Sequence, residues 1–208
     1  MSNEDSESKI SLYRKKVRNL FTEIQEGFSS LYTENEDYIT LRISVSKAQE
    51  IAETKLKNYI NTHKINIKIR EAEAKDIPKI NVIYHSSWKA SDLPMKEVTE
   101  ELLMEIYEDS DTRFIIARVD SKDVGFILIE FSKLNKEIGL ISGLAVLPEY
   151  QQGGIGKYLS FEAWKFFEDK GVKELRCEVY KKNEMAKRFI KELGFEERTA
   201  TPEAYGFK

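Results

Sequence analysis

One stretch, Leu144-Ala-Val-Leu-Pro148-Glu-Tyr-Gln151-Gln-Gly153-Gly154-Ile-Gly156-Lys157, constrains this chain more than any other. Before it, Glu137 to Leu147 has the composition of a strand; after it, apolar residues recur at helical spacing to about Lys170. Gly153, Gly154 and Gly156 allow a sharp turn between the two and a close approach of backbone to a ligand. A turn that opens a helix in this way presents unpaired N–H groups and the positive end of the helix dipole, a combination that favours an anion such as a pyrophosphate. A phosphate cradle is therefore expected here.

Two commoner glycine motifs do not fit. A P-loop needs Gly at 151 and Ser or Thr at 158, where the chain has Gln151 and Tyr158. A dinucleotide fingerprint starting at Gly154 needs a small residue at 159, which is Leu159. The pattern that fits is Gln-x-x-Gly-x-Gly on Gln151, Gly154 and Gly156. In this the chain resembles the GNAT acetyltransferases, whose central motif is Gln or Arg, two residues, Gly, one residue, then Gly or Ala. The preceding Leu-Ala-Val-x-Pro-Glu-Tyr resembles that family's fourth strand and its exit. Downstream, Glu178-Val179, Asn183, Ala186 and Leu193-Gly194-Phe195 resemble its second block. The resemblance covers roughly Ile65 to Lys208.

The resemblance implies an α+β fold with a mixed, mostly antiparallel sheet flanked by helices, and acetyl-CoA as cosubstrate. The amides of Gln152, Gly153, Gly154, Ile155, Gly156 and Lys157 would hold the CoA pyrophosphate, with Gln151 also among the cofactor-binding residues. Leu144 and Val146 would hydrogen-bond the pantetheine arm between two splayed strands, and Asn183 would line the same channel. Lys157, Lys187 or Arg188 would pair with nucleotide phosphates, and an N–H of Val146 or Ala145 would steady the thioester oxygen. The acceptor implied is a primary amine: a protein N-terminus, a lysine or a small metabolite.

Direct attack needs a neutral amine and a proton donor for the departing thiolate, but no covalent enzyme intermediate. The chain departs from its relatives here. Leu140-Ile141-Ser142-Gly143 offers no carboxylate where many carry one, and Ile190 stands where many have a tyrosine. Glu130, Glu137 and Tyr180 are the substitutes on neighbouring strands. A CoA-binding sensor or scaffold without catalysis is the alternative reading.

Periodicity supplies the rest of the organisation. From Ile10 to Tyr32 apolar residues step by three and four, and Ala48, Ile51, Ala52, Leu56, Tyr59 and Ile60 share a second helical face capped by Ser44 or Ser46. Residues 1–64 read as a helical hairpin extension, and residues 65–208 as the acetyltransferase domain. The heptad-like spacing of Ile10, Val17, Ile24 and Leu31 suggests a homodimer through this hairpin. From Ile65 the expected order is β, α, α, β, β, β, α, β, α, β, with Asp76 capping the first helix and Pro94 to Tyr107 forming the second. After Phe195 only 13 residues remain, short for the two strands with which the family completes its sheet.

Composition closes off several classes. A formal charge of -3, from 33 basic against 36 acidic residues, offers no global field for nucleic acid or an anionic membrane. No run approaches the ~20 apolar residues that span a bilayer. The acidic N-terminus lacks the pattern of a secretory signal, so a cytoplasmic location is expected. The single cysteine, Cys177, rules out an intrachain disulfide and a thiolate metal cluster, and it alternates with Leu175 and Val179 as a core residue does. No metal site is expected, and His63 and His85 belong to no triad or ligand spacing.

Overall fold

A computed structural model describes residues 38–62, 66–90, 98–132 and 135–197. The strands are β1 (Tyr38–Ser44), β2 (Ile67–Glu71), β3 (Thr112–Val119), β4 (Lys122–Phe131), β5 (Ile138–Val146), β6 (Glu174–Tyr180) and β7 (Glu196–Glu197). The helices are α1 (Val45–Ile51), continued through a π-helical stretch Ala52–Leu56 into α2 (Lys57–Thr62), then α3 (Ile77–Lys89), α4 (Glu100–Glu108), α5 (Ile155–Asp169) and α6 (Glu184–Glu192). From β2 onward this is the element order the periodicity predicts.

One seven-stranded sheet runs β2-β3-β4-β5-β6-β1-β7. The β2–β3, β3–β4, β4–β5 and β1–β7 pairs are antiparallel, and β5–β6 is parallel. Its centre is β4, where every residue from Asp123 to Glu130 is buried, so both faces of the sheet must be covered. Leu159, Ala163 and Phe167 of α5 cover one face, with Phe167 pressed so closely on Gly139 that a Cβ there would lie 2.5 Å from its ring. Ile77, Ile80 and Ile83 of α3 and Leu103 and Ile106 of α4 supply the other layer. Among the described residues, no helix is long and apolar enough to cross a membrane.

The N-terminal region holds a difference from the sequence reading. The expected second helix exists as α1 and α2, capped by the Ser44 hydroxyl on the Lys47 N–H, but a strand precedes it. Ile39, Leu41 and Ile43 alternate with Thr40, Arg42 and Ser44, and this β1 lies between β6 and β7. Leu41 and Arg42 pair with Glu197 and Glu196, and Val45 N–H donates to Lys173 O at 2.8 Å. Extension and domain therefore share one sheet, and Ile39–Arg198 form a single compact unit. The first helix of the expected hairpin lies outside the described residues, as do the residues after Glu197.

Two caps also differ. The second helix of the domain begins at Glu100, capped by the Thr99 hydroxyl on Leu102 N–H, rather than at Pro94. Asp76 does not cap α3; its backbone is already helical, so its carboxylate turns back to accept the Glu73 N–H at 2.8 Å. Both of its oxygens also take the Arg70 guanidinium, at 2.6 and 2.9 Å.

That arrangement makes acid stability predictable. Asp76 is 2% exposed, and the Arg70 hydrogen bond, aided by the Glu73 N–H, lowers its carboxyl pKa to about 2 from 3.8. A folded pKa below the unfolded one contributes stability that is present above pH ~4 and lost as pH falls towards 2, on the order of 2 kcal/mol. Urea unfolding of Asp76→Asn should show that deficit at pH 7 and a smaller one at pH 2.5. A deficit independent of pH would place the effect elsewhere than the carboxylate charge.

Candidate active site

The sheet opens where β5 leaves β6. Their parallel pairing runs from Ile138↔Glu174 to Ile141↔Cys177 and stops, although each strand continues for several residues. Counting three residues on from the last pair sets Leu144 across the opening from Tyr180. On its other edge β5 stays paired with β4 as far as Gly125↔Val146. Ser142 is the extra residue of a bulge, since Ile141 pairs with Ile129 and Gly143 with Leu128. Inside a central strand Ser142 is exposed, and Ile141, Gly143, Leu144 and Val146 are only half-buried. An interior strand so uncovered borders a slot.

Backbone alternation decides which groups face that slot. Leu147 N–H donates to Val124 O at 2.8 Å, so Ala145 turns its polar groups to β4, while Val146 and Leu144 turn theirs to the open edge. The Val146 carbonyl is doubly engaged, accepting from Ser87 Oγ at 2.8 Å and Gln151 Nε2 at 2.9 Å. What remains for a bound chain is the Val146 N–H and both backbone groups of Leu144. Ala145, grouped with them in the sequence reading, addresses β4 instead. Ser87, from the last turn of α3, is a contributor that no sequence motif marks.

Beyond β5 the glycine loop delivers the mouth of α5. Gln152 (φ 62) and Gly154 (φ 81) are left-handed, and Gly154 is the N-cap. The first inward amides are those of Lys157 and Tyr158, at 2.9 and 3.2 Å from Gly154 O, so those of Ile155 and Gly156 are left at the open end of the helix. A Cβ on Gly156 would lie 3.1 Å from the Phe189 ring of α6 and 3.6 Å from Leu144, so glycine lets helix, strand and loop converge. Gln151 anchors this loop to β5 through the bond to Val146 already described.

The other predicted donor-site side chains divide. Lys157 Nζ lies 4.5 Å from the Tyr59 ring centroid and 3.7 Å from Glu192. Asn183 is the N-cap of α6, its Oδ1 accepting Ala186 N–H at 2.9 Å, which commits that oxygen to the helix and leaves its amide NH2 as the donor for a ligand. Lys187 pairs with Glu184 on the same helix, and Arg188 is exposed. Among the described residues no cluster of His, Cys, Asp or Glu could hold a metal ion.

The acid and base candidates are scattered. Tyr180, half-buried, closes β6 beside the slot. Glu130 is 4% exposed on β4 opposite Leu140, two residues before the bulge. Phe131 beside it stacks on Phe166 and Phe167 of α5, so by strand alternation Glu130 faces the α3–α4 layer. Glu137 precedes β5 at the end away from the loop, roughly 25 Å along the strand from Val146, and is ion-paired with Lys173.

Cys177 is buried, and that burial pushes its thiol up to about 12. The thiolate needed for nucleophilic attack is then scarce near neutrality. Native protein should resist iodoacetamide at pH 8 and label fully in urea; labelling of the folded chain would reopen covalent catalysis.

Comparison with known proteins agrees with this geometry. The Acetyltransferase (GNAT) family matches residues 78–195. The spermidine N(1)-acetyltransferase of Thermoplasma acidophilum is 30% identical over 146 residues, 63% of this chain and 89% of that protein. The crystal structure of PaiA N-acetyltransferase from the same organism, in complex with coenzyme A, superposes with TM-score 0.58 at 25% identity, covering 66% of this chain and 94% of the other. An aminoglycoside acetyltransferase from an uncultured soil metagenomic sample, in complex with sisomicin, shares the fold at TM-score 0.54 and 21% identity over 68% and 95% of the two chains. With its family match extending over more than half its length and the open β5–β6 edge leading to a glycine-turned helix mouth, the chain belongs to the GNAT family of acetyltransferases.

Proposed function

We propose that this protein transfers the acetyl group of acetyl-CoA to a primary amine of a small polyamine-like acceptor, by direct attack. The observation that carries the donor half is the unpaired β5 edge, which offers the Val146 N–H and the Leu144 backbone to an amide-bearing arm and ends at the amides of Ile155 and Gly156. Those groups suit a pantetheine followed by a pyrophosphate, because a ligand read by backbone needs no particular side chains. The acceptor half rests on the named activity of the spermidine N(1)-acetyltransferase relative.

In this reading the Val146 N–H stabilises the charge developing on the thioester oxygen as the C–N bond forms and the C–S bond breaks. Tyr180, beside the slot, returns a proton to the departing sulfur. Glu130 takes one from the amine through water, being the carboxylate of the three candidates that is buried in the layer facing α3 and α4. The Ser87 and Gln151 bonds to the Val146 carbonyl hold this peptide in place.

Release of free thiol from acetyl-CoA in the presence of spermidine, aminoglycosides and lysine-bearing peptides tests the reaction. Spermidine-dependent turnover is expected, with Tyr180→Phe lowering kcat roughly 10- to 100-fold and leaving KM for acetyl-CoA little changed. Gly156→Glu should remove the thermal stabilisation by CoA, since its side chain would meet Phe189 and bring a negative charge to the helix mouth. CoA binding without turnover of any amine would favour the sensor reading instead.

A further inference from the structure

Beside the mouth of α5 stands a residue from outside the segment that matches the family. Tyr59 lies on α2, and a Cβ placed on Gly154 would meet its Cε1 at 2.4 Å and its hydroxyl oxygen at 2.5 Å. Lys157 Nζ sits over the same ring, 4.5 Å from its centroid. Burial, and after it the electrostatic interaction with Tyr59, raises the Tyr158 phenol above its ordinary range. Gly154, Lys157 and Tyr158 share one side of the first turn, at the i, i+3 and i+4 positions. Helix amides point along the axis, so a ring on this side stands next to the opening rather than across it. On the Gly156 side the Phe189 ring of α6 takes the matching place.

The segment that carries Tyr59 is firmly seated. Ala52 is buried, Ala48 and Ile51 line a small cavity with Trp164, Leu193 and Phe195, and a Cβ on Gly194 would meet Ile51 Cδ1 at 2.2 Å. The helices α1 and α2 thus lie along α5 from the end of α6 to the glycine loop, delivering a phenol hydroxyl to the rim of the predicted phosphate site, beside the Lys157 ammonium of α5 itself.

We propose that Tyr59 is a donor-site residue: its ring walls the phosphate cradle, its hydroxyl donates to a phosphate oxygen of CoA, and it holds the Lys157 ammonium at the rim. The extension is then part of the cosubstrate site rather than an appendage. This rests on the reading that the donor is acetyl-CoA.

The test compares full-length wild type, Tyr59→Phe and Tyr59→Ala by calorimetry with CoA and by turnover with acetyl-CoA and with S-acetylpantetheine, which lacks the phosphates. Losing one bond to a charged acceptor should weaken CoA binding about 10-fold in Tyr59→Phe, and losing ring and bond about 30-fold in Tyr59→Ala. Turnover of S-acetylpantetheine should be unchanged in both, which a merely structural role would not allow. CoA binding equal to or tighter than wild type in the variants would overturn the proposal, the tighter result marking the ring as a plug. Parallel losses with S-acetylpantetheine would overturn it too. Wild type that binds no CoA while folded would instead overturn the donor reading itself.

Discussion

A strand in the middle of a sheet that stops pairing partway exposes backbone N–H and C=O groups that must be satisfied by something else, because a buried unpaired polar group is costly. In this chain β5 does so past Ile141, and the local structure accommodates it. The Ser142 bulge lets β5 stay paired with β4 while re-phasing the residues after it. Ser87 and Gln151 occupy the Val146 carbonyl. The remaining N–H and C=O groups form a ladder edge of a few residues, too short to template aggregation and well suited to a ligand with peptide-like amides. The glycine loop then converts the end of β5 into a helix mouth, so one opening in the sheet leads from an unpaired strand edge to the amides of Ile155 and Gly156, the places proposed for the arm and its phosphates.

The far side of the same opening depends on the N-terminal extension. β6 has β5 as a neighbour for only part of its length, and its other edge is taken by β1, which in turn carries β7. Arg42 on β1 lies 3.7 Å from Glu174, whose carboxylate also accepts Arg176 Nε at 2.5 Å, fixing the start of β6 where it still pairs with β5. The chain that leaves β1 continues as α1 and α2 along α5. A single segment ahead of the matched family region therefore supports the second wall of the slot and reaches the N-terminal mouth of α5.

Much of this was legible in the residues because local rules and tertiary needs agree. The strands from Ile67 onward alternate or are wholly apolar, the glycines at 171 and 194 close their helices with positive φ, and the Gln-x-x-Gly-x-Gly loop specifies a turn with little freedom. Other features were hidden for identifiable reasons. The alternation of Ile39, Leu41 and Ile43 is a strand signal, but it adjoins the helical pattern of Ala48, Ile51 and Ala52, and its partners β6 and β7 lie more than 130 residues away. Asp76 has the composition of a cap but serves Arg70, a choice made by a neighbouring strand. Ser87 and Tyr59 act through contacts across 59 and 95 positions of sequence, which no spacing rule encodes. Asn183 satisfied two readings at once from its sequence, and geometry shows the capping bond directly.

The proposed function places the donor's arm in the opening between β5 and β6. A crystal structure of the CoA complex tests it most directly. Pantetheine amides are expected within about 3 Å of the Val146 N–H and the Leu144 backbone, with the pyrophosphate at the amides of Ile155 and Gly156. Density for CoA elsewhere, with β5 and β6 zipped together through Leu144 and Tyr180, would contradict it.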